Sequence, residues 1–171
     1  MERRPSFSAL DIISKVIREH VKEGDLCIDA TAGRGNDTAM LCELVGKTGK
    51  VIAFDIQEDA VNSTKELLEK KGLSDRAEVH LESHSEMGKY AAPGTVSCIT
   101  FNFGWLPKGD HNIFTKKETS IPAIESGLEL LKEDGIMTLI LAKDPQGALE
   151  ELCANERIVG HPSERRIGFA K

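Results

Sequence analysis

The sequence predicts an α/β fold: a doubly wound, mainly parallel sheet with helices on both faces. Three observations predict it. Apolar runs of strand length alternate with longer segments of helical period, as in successive βαβ units. Most of these runs are apolar at consecutive positions, so their strands should be covered on both faces. The first run (Leu26, Cys27, Ile28) continues through Asp29-Ala30-Thr31-Ala32-Gly33-Arg34-Gly35 into Asn36-Asp37-Thr38, which reads as strand, glycine turn and helix start. In such a sheet the strand's carboxyl end opens onto the free N–H groups of the helix, a place for a nucleotide-like ligand.

Taken in order, residues 8 to 21 form an amphipathic helix with Leu10, Ile13 and Ile17 on one stripe and Val16 and Val21 beside it. Ser8 followed by Asp11 resembles a capping box, and Gly24 ends the segment. The strand at 26–30 leads into a helix carrying Ala39, Met40, Leu41, Leu44 and Val45, closed by Gly46 and Gly49. A second strand, 51–54, delivers Asp55. The helix after it, Glu58 to Lys71, turns Ala60, Val61, Thr64, Leu67 and Leu68 inward and stops at Gly72. A third strand, 77–81, ends at Glu82-Ser83-His84, and a fourth apolar run, 96–101, ends in Asn102-Phe103-Gly104-Trp105-Leu106-Pro107. Beyond a polar loop, a helix begins near Thr119 with Pro122 in its first turn, and Gly135 introduces a fifth strand, 136–141. A short helix at 146–154 and two short strands, 157–160 and 165–170, are expected to close the sheet edge.

With 171 residues, 40% of them hydrophobic and 29% charged, the chain is expected to be one domain spanning residues 1–171. It contains no apolar run of membrane-spanning length and no apolar leader at its start, so a cytoplasmic protein without a membrane partner is expected. Cys27, Cys42, Cys98 and Cys153 form no Cys-x-x-Cys pair and read as free thiols, with no metal site implied. A net charge of −6 argues against broad electrostatic affinity for nucleic acid.

The glycine turn departs from a dinucleotide site. Thr38 stands where a third glycine would fall. Asp29 precedes the glycines, and Asp55 follows the next strand about twenty residues after Gly33, placed to accept hydrogen bonds from ribose hydroxyls. An acid followed by x-x-x-Gly-x-Gly resembles the first motif of the class I S-adenosylmethionine (SAM) methyltransferases. A nicotinamide site and a ligand-free turn are the alternatives. Gly33 and Gly35 allow the backbone to approach a ligand closely.

Asn102 is the second informative position. At the end of the fourth strand it faces the same crevice as the glycines. A side-chain amide oxygen there, with a backbone carbonyl beside it, can hold the N–H groups of an attacking amine in line with a methyl group. Asn102 capping a turn is the plainer reading. Trp105 reads equally as a stacking surface for a planar base and as core. His84 and His111 are the titrating side chains near the mouth. No Pro-Cys nucleophile follows a strand, which disfavours methylation through a cysteine adduct.

Together, the stretches 29–38, Phe54-Asp55-Ile56-Gln57, Ser83-His84-Ser85-Glu86-Met87, 102–111 and Glu118-Thr119-Ser120-Ile121-Pro122-Ala123-Ile124 resemble one group. It is the small bacterial SAM-dependent enzymes labelled rRNA methylases, associated with methylation of 5-aminomethyl-2-thiouridine at the tRNA wobble position. The resemblance runs from about residue 8 to 141. It implies a seven-stranded-type Rossmann-like SAM methyltransferase sheet, SAM as cofactor, the tRNA anticodon region as partner and a homodimer as one possible assembly. By position it implies Asp29, Gly33, Gly35, Asn36, Asp37 and Thr38 in the SAM loop, Asp55 and Gln57 at the ribose and His84 near the adenine. Asn102, Gly104 and Leu106 would line the methyl-transfer site, with Asp110, His111, Thr115 and Thr119 towards the substrate. Asn102, Gly104 and His111 are thus the catalytic candidates, and Asn102 also borders the cofactor. After the fifth strand the chain departs from the family pattern, so its terminal strand pair is expected to be short or altered. A small-molecule amine methyltransferase, an rRNA methyltransferase and a SAM-binding protein without activity are the rival functions.

Overall fold

The computed structural model describes residues 8–103, 117–141 and 166–170. Its sheet has six strands in the order β3-β2-β1-β4-β5-β6, every neighbouring pair parallel. The strands are β1 (Leu26–Asp29), β2 (Lys50–Asp55), β3 (Ala77–Leu81), β4 (Val96–Phe103), β5 (Leu131–Leu141) and β6 (Arg166–Ala170). The helices are α1 (Ala9–His20), α2 (Asn36–Val45), α3 (Glu58–Lys70) and α4 (Lys117–Leu130). The doubly wound, parallel reading of the sequence is therefore what the chain adopts.

Each helix starts and stops for a local reason. Ser8 caps α1: its hydroxyl accepts from the Asp11 N–H while the Asp11 carboxylate accepts from the Ser8 N–H, the reciprocal box expected. Gly46 ends α2 at φ 66°, where a side chain would be strained. On one face of the sheet, α1, α2 and α3 bury Ile13, Ile17, Val21, Leu41, Val45 and Leu68 against Cys27, Val51 and Cys98. On the other, α4 and the 3-10 turn at His84–Lys89 bury Ile124 and Met87 against Ile28, Phe54, Ile99, Phe101 and Phe103. Each such side chain contributes about 1.5–3 kcal/mol on leaving water. Burial also raises the thiols of Cys27 and Cys42 to about 12 and that of Cys98 well above its usual value, so these three cysteines are inert core.

Three details differ from the sequence reading, and a fourth lies beyond it. The β3 strand is half exposed, with Leu81 turned to solvent, because it is the sheet's outer strand and has one neighbour. The α4 helix starts two residues earlier than expected, which moves Pro122 from the first turn to its interior. On α1, Leu10 and Val16 lie exposed although their neighbours Ile13 and Ile17 are buried. The last strand, whose partner and direction the sequence does not give, pairs with β5 in parallel (Met137 opposite Ile167, Leu139 opposite Phe169). A parallel neighbour needs a crossover of a dozen or more residues, and residues 142–165 supply that length. The strand expected at 157–160 and the helix at 146–154 lie outside the described residues, as does Cys153. Among the described residues, no helix is long and apolar enough to cross a membrane.

Candidate active site

The strand order reverses between β1 and β4, so a crevice opens at their carboxyl ends. The glycine turn fills its floor. Leaving β1, Ala30 N–H donates to the Thr100 carbonyl of β4 (2.9 Å) and Ala32 N–H to the Phe54 carbonyl of β2 (2.9 Å), so the turn is stitched to both neighbours. Gly33 and Gly35 adopt φ of 56° and 85°. Gly35 has a second reason to be glycine: a Cβ there would stand 2.8 Å from Thr64 Cα of α3. Gly35 is also the N-cap of α2 and offers no side chain to the first-turn N–H groups, which leaves them free to meet a ligand.

Three carboxylates ring this turn. Asp55, at the tip of β2, accepts from the Gly33 N–H (3.0 Å) with one oxygen and from the Gln57 N–H (2.9 Å) with the other. It therefore shapes the turn, and each oxygen keeps a lone pair for a hydroxyl. Asp29 is fully buried, bonded to the turn and to α2. Its oxygens accept from the Thr31 N–H (3.1 Å) and the buried Thr38 hydroxyl (2.6 Å). Burial, then the charge of Asp37, push the Asp29 carboxyl up to about 7, against the pull of those two hydrogen bonds. Asp37, in the first turn of α2, is half buried and takes a hydrogen bond from the Asn102 side-chain Nδ2.

Asn102 sits at the end of β4, one residue before its last, as the sequence places it. Its backbone N–H donates to the Thr31 hydroxyl (2.7 Å), which closes a chain from Asp29 through the turn to β4 and back to α2. Beside it, Thr100 is paired with Asp29 across the strands, and its buried hydroxyl finds no partner among the described residues. Thr31 was not singled out from the sequence. The signal was present, since an aspartate two residues before an N–H is the pattern of an Asx turn.

His84 lies on the other face of the sheet. Its Nδ1 pairs with the Ala30 carbonyl (3.1 Å), its ring packs edge-on to Phe101 and Phe103, and burial holds its pKa below the usual value. In the neutral ring Nδ1 carries the proton to the carbonyl, and Nε2 is a buried acceptor without a partner among the described residues. The structure thus brings together Asp29, Gly33, Gly35, Asp37, Thr38, Asp55 and Asn102 on one side of the crevice. Asn36 and Gln57 stand at its rim as the first residue of α2 and the N-cap of α3. Gly104, Trp105, Leu106, Asp110, His111 and Thr115 lie outside the described residues, while Thr119 is in α4. Arg34 reaches across to α3, to the Ser63 hydroxyl (2.8 Å) and Asp59 (3.9 Å). Acids and free N–H groups around a turn without side chains suit a ligand that carries positive charge, a carboxylate and vicinal hydroxyls.

Asp29 makes stability depend on pH in a set direction. Its folded pKa of about 7 lies above the 3.8 of an unperturbed carboxyl. The group therefore favours the fold fully below about pH 4, and that advantage is lost as pH climbs through 7. Wild type should lose melting temperature relative to Asp29→Asn between pH 4 and 8, by roughly 5 °C or more. Parallel melting curves of the two proteins across that range would remove Asp29 from this role.

The crevice and its strand order define the class: this is the architecture of the SAM-dependent methyltransferases. A methyltransferase from Streptococcus mutans in complex with SAH superposes with a TM-score of 0.75 at 29% identity, covering 96% of this chain and 85% of that one. Within the class the chain is more narrowly placed. Residues 51–163 match the family described as "Putative rRNA methylase", and the chain belongs to that family. A Clostridium thermocellum protein of the same description superposes with a TM-score of 0.85 at 39% identity, covering 92% of this chain and 85% of that one. The chain is also 35% identical over 153 residues to the chloroplastic tRNA (mnm(5)s(2)U34)-methyltransferase of Arabidopsis thaliana. That alignment covers 84% of this chain and 56% of the relative. The chain spans about half the length of the curated relatives it matches.

Proposed function

We propose that the chain is a SAM-dependent N-methyltransferase acting on RNA. Its substrate in this reading is the primary amine of 5-aminomethyl-2-thiouridine at the wobble position of the tRNA anticodon. The observation that carries it is Asn102: a polar side chain held at the carboxyl end of β4, tied to the glycine turn and to the first turn of α2. The likeness to the Arabidopsis tRNA methyltransferase supports the choice of substrate, and the likeness to the SAH-bound structure supports the cofactor.

SAM supplies a methyl group already activated by its sulfonium centre. The chain's residues then have to bind, orient and exclude. The donor set fits: Asp55 meets the ribose hydroxyls, the uncapped N–H groups of α2 meet the carboxylate, and Asp37 in the first turn of α2 adds an acid on the side of the ligand's positive charges. Gln57, Asn36 and Thr38 complete the loop, with Thr38 acting from behind through Asp29. The Asn102 Oδ1 accepts an N–H of the substrate amine, which points the nitrogen lone pair at the methyl. Gly104 and His111 are proposed to complete the substrate side.

One observation favours a second reading. The net charge of −6 suits a small-molecule amine better than RNA. Methyl transfer from labelled SAM to tRNA bearing unmethylated 5-aminomethyl-2-thiouridine, with rRNA and a panel of small amines in parallel, tests both. Label confined to that nucleoside is the expected result. Label in a small amine alone replaces this reading with the second, and label in rRNA moves the substrate.

A further inference from the structure

We propose that Asp37 is a positioning residue, which holds the Asn102 amide so that its oxygen, not its nitrogen, faces the substrate. The inference rests on the reading of the crevice as an amine-methylating site. The amide of Asn102 has two ends of opposite character, and only one orientation accepts an N–H. An ionised carboxylate can only accept, so a neighbouring Asp37 fixes Nδ2 toward itself and leaves Oδ1 as the outward atom. The backbone of Asn102 is held independently, through its N–H to the Thr31 hydroxyl at 2.7 Å. With the backbone N–H and one Nδ2 hydrogen both tied, the amide plane is set and Oδ1 is its one acceptor. Thr31 and Asp37 reach Asn102 from the turn and the helix on either side of Gly33 and Gly35, so the cofactor loop itself sets the substrate-facing atom. A charged acceptor on Nδ2 also polarises the amide and strengthens Oδ1 as an acceptor. A hydroxyl nucleophile would offer this atom one hydrogen, a primary amine two, and the second lets one N–H bond persist while the lone pair is aligned.

The plainer role for Asp37 is an acid in the first turn of a helix, which complements the dipole. Rescue separates the two. Asparagine at position 37 keeps an acceptor oxygen for Nδ2 and loses the charge, whereas alanine loses both. The expected result for Asp37→Ala is a turnover at saturating SAM about 30-fold or more below wild type, a clearly larger factor than its loss of SAM affinity. Asp37→Asn should recover most of that loss. Asn102→Asp alone would face one carboxylate with another, and the double variant Asp37→Asn/Asn102→Asp should exceed it by about tenfold or more, because donor and acceptor have exchanged places. The swap keeps the test alive should the alanine variant fail to fold.

The side-chain amide of Asn102 gives a readout independent of substrate. Its N–H signal should lie downfield and exchange slowly in wild type and Asp37→Asn, and become ordinary in Asp37→Ala. Inactivity of wild type on the tRNA would sink the substrate reading, while the amide signals still decide this one. Equal turnover in the alanine and asparagine variants, equal loss of SAM binding and turnover, or an amide signal unmoved by alanine would each overturn it.

Discussion

Asn102→Ala should lower methyl-transfer turnover by about a hundred- to a thousandfold and leave SAM affinity within about threefold. The two effects separate because two different parts of the residue are used. The backbone N–H that ties β4 to the Thr31 hydroxyl survives the substitution, so the glycine turn and the cofactor's floor stay in place. Only the amide is lost, and with it the acceptor for the attacking amine. Asp37, half exposed to the crevice, can regain water and carries no buried unpaired charge as a result. Single-turnover rates with labelled SAM, beside SAM binding by calorimetry, measure both quantities on one preparation. Loss of rate and affinity by the same factor would take Asn102 out of the transfer step and place it in the cofactor site.

Asp55→Ala should do the reverse and strike binding first. The carboxylate holds two backbone N–H groups, of Gly33 and Gln57, and charged hydrogen bonds of this kind are worth about 1.5–3 kcal/mol each. Removing it frees the glycine turn and deletes the ribose partner together. SAM affinity should fall about a hundredfold or more, and the melting temperature of the ligand-free protein by several degrees. Asp55→Asn is an informative intermediate, because its single carbonyl oxygen can serve one of the two N–H groups and its NH2 must oppose the other. Calorimetric SAM binding unchanged in Asp55→Ala would overturn the ribose assignment outright.

The parts legible in the sequence were those written locally. Helical and strand periods gave the alternation of elements, the Ser8–Asp11 pair gave the start of α1, and Gly46 and Gly72 gave the ends of α2 and α3. The strand, glycine turn and helix at 26–45 were legible because one contiguous stretch encodes all three. What stayed hidden depends on residues far apart. Nothing local says that Asp55 closes on Gly33, that Asn102 is tied to Asp37, or that Asp29 is fully buried with Thr38 as its partner. The exposed face of β3 follows from its place at the sheet's edge, which only the strand order reveals. The parallel pairing of β6 likewise belongs to topology, since a five-residue strand reads the same in either direction.

The strand order has a consequence for how the protein is made. Residues up to Leu81 contain β1, β2 and β3, a three-stranded half-sheet whose members are neighbours, so it can assemble as soon as that much chain is free of the ribosome. The other edge of β1 then waits for β4, which ends about twenty residues after β3, roughly 1–4 s later at ordinary rates of synthesis. During that interval an apolar strand that will lie at the centre of the finished sheet is an open edge, with the unsatisfied N–H and C=O groups that invite pairing with another nascent chain. The same crevice that will hold the catalytic groups is thus the seam sealed late, and a cell making this protein quickly has most reason to guard it there.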